Sequence, residues 1–174
     1  MSASIKEERH QLFERYQQCT PAEQAAVNLL AVAWGGLSKS QVTTPLRKIL
    51  GAGEAAKIKL EQLQRNGLIE VNRSLWSSHG LRCNRLIAEP VTRKLVANGT
   101  FEHYVELVRL AAPLQAAYQK TAKGDFQFRN DDELIREVRI GIYRADELYI
   151  EHLFAMLERL QYSYWNGLPQ RWPE

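Results

Sequence analysis

With 174 residues, 45 % of them apolar and 25 % charged, the chain has room for one compact domain or two small ones and the composition of a folded protein. No apolar run approaches the roughly 18 residues of a membrane-spanning helix, and the N-terminal stretch lacks the apolar centre of a secretory leader. Two cysteines, Cys19 and Cys83, make neither a disulfide framework nor a zinc site, so a reducing, cytoplasmic or nuclear setting is expected.

The net charge of +3 is unevenly placed. Residues 36–100 hold eleven Lys/Arg against four Glu, a net of +7. Residues 101–174 hold nine basic and twelve acidic side chains, a net of −3, and the first 35 residues sum to −1. A local basic excess of this kind suits a surface that meets nucleic acid.

In chain order, residues 5–19 read as a helix with Ile5, Leu12, Phe13 and Tyr16 as its apolar stripe. Thr20-Pro21-Ala22-Glu23 is a helix start: Thr20 caps, Pro21 fits the first turn and Glu23 completes a capping box. That helix runs to about Trp34, burying Ala26, Leu29, Leu30 and Ala33, and Gly35-Gly36 ends it. Trp34 itself reads as a core or hinge aromatic. Leu37 follows as a short strand or core plug. Ser38 with Gln41 opens a second helix within residues 39–50, which Pro45 either kinks or delays.

Residues 53–66 read as a third helix with Ala56, Leu60 and Leu63 inward, and Asn66-Gly67 stops it. Two extended segments follow, residues 68–71 and 81–88, around the turn Ser77-Ser78-His79-Gly80. Glu89-Pro90 closes the second strand and residues 91–97 form a short helix capped by Asn98-Gly99. Residues 101–122 read as a helix that Pro113 kinks or interrupts. A turn-rich link over 120–130 holds Phe126 and Phe128. Asn130 with Glu133 then caps one long helix reaching Tyr162, striped by Ile135, Val138, Ile142, Ala145, Tyr149, His152, Met156 and Leu160. The aromatic end, Tyr162 to Trp165 and then Trp172, needs a surface to lie on: the chain's own helices or a continuation of a longer parent.

Helix, Asn-Gly stop, strand, turn and strand over residues 53–88, with Leu60-x-x-Leu63-x-x-x-Gly67-Leu68-Ile69 at the junction, resemble the recognition helix and wing of the winged helix-turn-helix superfamily. The resemblance covers about residues 20–98. It implies a mainly α fold with a small antiparallel β wing. The expected layout is an N-terminal helix (1–19), a winged domain (20–99), a helical bundle or assembly domain (100–162) and an aromatic tail or linker (163–174).

Under that resemblance the exposed side of the third helix offers Lys57, Lys59, Gln62, Gln64 and Arg65, the mix of cations and amides that reads phosphate, guanine and adenine. The wing adds Arg73, Arg82 and Arg85, with Arg82 and Asn84 on one strand face and Cys83 and Arg85 on the other. Trp76 stands beside the turn, for stacking or for covering the sheet end. The partner implied is double-stranded DNA, in a transcription regulator or an accessory region of a larger DNA-processing protein. The alternative is a protein-interaction and oligomerisation module that homodimerises through its C-terminal helices. No phosphate-binding glycine motif, paired histidines or nucleophile constellation is present, so no enzyme, cofactor or metal is expected.

Overall fold

The computed structural model describes residues 4–72, 80–116, 126–128 and 130–166. It is mainly helical, with two small two-stranded antiparallel sheets. Helix α1 (Ile5–Gln18) is capped by Ser4 and Glu7, and it buries Leu12 and Tyr16 while Phe13 packs half-buried. Ile5 leaves the expected stripe and stands 70 % exposed at the first residue of the helix.

Helix α2 (Pro21–Ala33) forms with the expected Thr20–Glu23 capping box and is buried almost all round. Ala26, Val27, Leu29, Leu30 and Ala31 are fully enclosed, as a helix at the centre of a layer requires. Trp34 ends it at φ 62°, half-buried. Leu37 then makes a single antiparallel bridge to Leu81, so it serves as a minimal third strand. Helix α3 (Lys39–Leu50) starts on the Ser38–Gln41 capping box and is one continuous helix with Pro45 inside it.

The third helix of the sequence reading is two: α4 (Ala52–Ala56) and α5 (Leu60–Arg65). Ala55, not Ala56, is buried, and Ile58 packs on the core beside buried Leu60 and Leu63. Ile58 and Leu60 would lie about 200° apart on a straight helix. Breaking the helix between them lets both side chains turn inward.

Gly67, at φ 74°, ends this region, and Leu68 begins the return. Strand β1 (Ile69–Asn72) pairs with β2 (Gly80–Cys83), with Ile69 opposite Cys83 and Glu70 opposite Arg82. Gly80 sits at φ 140°, and a Cβ there would lie 2.4 Å from the Leu37 carbonyl oxygen. The turn between the strands, with Arg73, Trp76 and Ser77 to His79, lies outside the described residues.

The second strand is shorter than its apolar run suggests. Asn84 accepts a hydrogen bond from the Leu86 amide at 2.9 Å and starts helix α6 (Arg85–Ala97), which contains Pro90. Helix α7 (Phe101–Ala111) stops before Pro113 and does not continue to residue 122. Strands β3 (Gln115–Ala116) and β4 (Phe126–Gln127) pair antiparallel beyond it. The expected long C-terminal helix is also two, α8 (Asp131–Arg144) and α9 (Glu147–Asn166). Ala145 adopts the left-handed conformation between them, and the Asp146 carboxylate accepts from the Tyr149 amide at 3.0 Å. One hydrophobic core joins α1 to α7 and takes in Ile140 of α8. No helix among the described residues is long and apolar enough to cross a membrane.

Candidate nucleic-acid interface

The basic segment holds four acids, and each is occupied. Glu54 Oε1 lies 2.5 Å from Lys57 Nζ, and Glu61 Oε1 lies 2.5 Å from Lys39 Nζ. Glu70 Oε1 accepts from Arg82 Nε at 2.8 Å across the hairpin. Glu89 takes Arg93 at 2.9 Å and, from α8, Arg139 at 3.1 Å and the Tyr143 hydroxyl at 2.5 Å. The hydrogen bond from Lys39 is the foremost cause holding the Glu61 carboxyl below its ordinary value.

The remaining cations divide into two groups. Arg85 and Lys94 lie over aromatic rings, Arg85 at 5.7 Å from the Trp34 centroid and Lys94 at 4.8 Å from that of Tyr16. Arg47, Lys48, Lys59 and Arg65 are exposed and make no ion pair among the described residues, although the charge of Arg65 is felt by Glu61 one turn back. Arg47 and Lys48 end α3, Lys59 precedes α5 and Arg65 ends it, and α3 packs directly on α4.

The eight residues expected to meet DNA are therefore not equivalent. Lys59, Gln64 and Arg65 stand exposed on or beside α5. Gln62 is half-buried, and its Nε2 donates to Asn66 Oδ1 at 3.0 Å. Lys57 belongs to the C-cap of α4 and leans on Glu54. Arg82 projects from β2, half-buried and tied to Glu70. Arg85 does not alternate with Cys83 on a strand: Asn84 has already begun α6, and Arg85 turns to Trp34. Arg73 lies outside the described residues. Exposed ion pairs such as Lys57–Glu54 stabilise by about 0–1 kcal/mol, so those cations remain available to a more strongly charged partner.

Arg47 and Lys48 are the residues the sequence reading passed over. Adjacent basics in the last turn of a helix usually answer its negative dipole end. Their second property, absence of an acid neighbour, emerges only when the four glutamates are seen paired elsewhere. Cys83 packs: it is 3 % exposed, and burial pushes its thiol strongly up. Among the described residues no group of three His, Cys, Asp or Glu side chains converges as a metal site would require. No family model matches the chain, and no curated protein or solved structure does.

Proposed function

We propose that this chain is a DNA-binding module of the winged helix-turn-helix kind, serving a transcription regulator or an accessory region of a larger DNA-processing protein. Support for the class comes from the element order: α2, the Leu37 bridge, α3, the broken third helix, then β1 and β2 with Leu37 bridged to Leu81. The observation that carries the function is the cation set Arg47, Lys48, Lys59 and Arg65, which make no ion pair among the described residues while each glutamate of the segment is bonded to another cation. In this reading Gln64 and Arg65 approach base edges, Lys59, Arg47 and Lys48 hold phosphates, and Arg82 exchanges Glu70 for the backbone beside the hairpin.

Fluorescence anisotropy with duplex DNA across a salt series tests this. Wild type is expected to bind at about 50 mM salt, weakening steeply toward about 200 mM. Lys48→Ala with Lys59→Ala should lower the log–log salt slope by about 2, one for each phosphate contact removed. Arg144→Ala, whose side chain on α8 is paired with Glu102 of α7, should leave the slope unchanged. A folded wild type that shows no salt-dependent binding at the lowest salt defeats the DNA reading.

A second reading rests on the other end of the chain. Ile142, Leu148 and Phe154 of α8 and α9 stand 60 %, 79 % and 52 % exposed. Large apolar side chains in that number suit an oligomerisation or protein-docking face. Sedimentation of wild type against Leu148→Ser with Phe154→Ser separates an assembly from a monomer.

A further inference from the structure

A groove of about 460 Å³ runs between α1 and α6, beside the Glu89–Arg93 pair. Its floor is Phe13 and Pro90, and its walls carry Lys6, Arg9, His10 and Arg93. Positions 6, 9, 10 and 13 share one helical face, which flanks the face that Leu12 and Tyr16 bury. Three of the four are Lys, Arg and His, and Phe13 is the half-buried apolar one.

Arg93 and His10 have acidic partners, Glu89 and Glu14, but Lys6 and Arg9 make no ion pair among the described residues. Glu89, the acid lining the groove, already accepts hydrogen bonds from Arg93, Arg139 and Tyr143. His10 pairs with Glu14 at 3.2 Å. Lys6 and Arg9 are both exposed.

The geometry points to a docking site for an acidic peptide segment of a partner protein, one carrying aromatic or aliphatic anchors among its carboxylates. Charge complementarity selects the acid: Lys6, Arg9 and Arg93 rim the groove and meet carboxylates on either side of a bound strand. The Phe13–Pro90 floor selects the anchor, since an apolar side chain seated there leaves water while the rim charges stay wet. A phosphodiester backbone fits less well, because it brings no apolar group to the floor and presents uniform charge to Glu89. The groove shares no residue with the proposed DNA face, so the two can be tested separately.

The test uses the full chain and a fluorescein-labelled synthetic peptide of alternating Glu and Leu or Phe residues, read by anisotropy. Control peptides replace every Glu by Gln, or every Leu and Phe by Glu. Wild type should bind the acidic, apolar peptide at least tenfold more tightly than either control. Lys6→Glu with Arg9→Glu should cost tenfold or more, and the milder Lys6→Gln with Arg9→Gln a smaller part of that. Lys59→Ala with Arg65→Ala should change nothing. The proposal is overturned if wild type fails to bind at about 1 mM peptide in low salt. It is equally overturned if the all-Glu control binds as well, or if the Lys6/Arg9 variants, folded by circular dichroism, retain full affinity. A loss of duplex DNA affinity in those variants without any peptide binding would make the groove part of a nucleic-acid surface instead.

Discussion

Helices α2 and α8 are both packed into the protein, but by opposite chemistry. Helix α2 is enclosed by aliphatic side chains, and its one buried amide, Asn28, is shared between the hydroxyls of Tyr16 at 2.8 Å and Tyr104 at 3.1 Å. Helix α8 turns Glu133, Arg136, Glu137 and Ile140 inward and leaves Ile135 and Ile142 at the surface. Glu137 is fully buried, and it accepts from Arg136 at 2.8 Å, Arg109 at 3.1 Å and the Tyr149 hydroxyl at 2.7 Å. Arg136 also donates to the Ala112 carbonyl at 3.1 Å. One carboxylate thus joins α7, α8 and α9. An apolar contact is tolerant of small shifts, whereas a buried charge is held only while every partner is in place.

Removing the acid alone should therefore have the largest effect. Glu137→Ala leaves two arginines facing a void, and such one-sided losses cost about 3–5 kcal/mol. Leu30→Ala in α2 deletes apolar atoms of a fully buried side chain and should cost about 3 kcal/mol. Urea denaturation of the two variants checks the order. If Glu137→Ala costs less than 1 kcal/mol, α8 is held by something other than its ions. Gly80→Ala should fall just below, at about 2–3 kcal/mol, through a Cβ driven onto the Leu37 carbonyl at a positive φ. Its damage should be local, weakening the bridge that joins the hairpin to α2.

The same contrast explains what was legible in the sequence. Capping boxes at Thr20 and Ser38, the Asn130 cap and the Gly67 stop are local chemistry, and each appears where expected. The apolar residues Ile135 and Ile142 do not mark the buried face of α8. Glu133, Arg136, Glu137 and Ile140 have the same spacing of three and four, and their burial depends on Arg109 and Tyr149, which lie far away in sequence. Two breaks were written more plainly. Asp146 and Asn84 are ordinary helix-capping residues, overlooked because apolar runs continued past them. The candidate DNA surface was half legible: the basic excess shows in the sequence, but which cations stay free depends on where four glutamates point. That is why Lys59 and Arg65 remain strong candidates, Lys57 and Arg82 less so, and Arg47 and Lys48 enter late.

The smallest expected effect concerns the outer end of α8, where Glu89 of α6 binds Arg139 and Tyr143. Burial pushes the Glu89 carboxyl up, but the hydrogen bonds from Tyr143, Arg93 and Arg139 together outweigh it and hold the group below its ordinary 4.5. A depressed acid stabilises the fold fully above its unfolded value, and that contribution disappears as pH falls through the lower, folded value. Tyr143 moves the other way: burial first, and then its bond to Glu89, push its hydroxyl up to about 12. A raised group stabilises fully below its unfolded value of 10.0 and loses that contribution as pH rises through about 12. One latch therefore loosens at both extremes. Glu89 is 40 % exposed, so solvent screening limits either arm to about 0.5 kcal/mol. Glu89→Gln should flatten the acid arm of a urea-midpoint series, and Tyr143→Phe the alkaline arm, each leaving the opposite arm partly intact. An acid arm of wild-type steepness in Glu89→Gln would move the dependence to another depressed acid, with Glu102 against Arg144 the next to try.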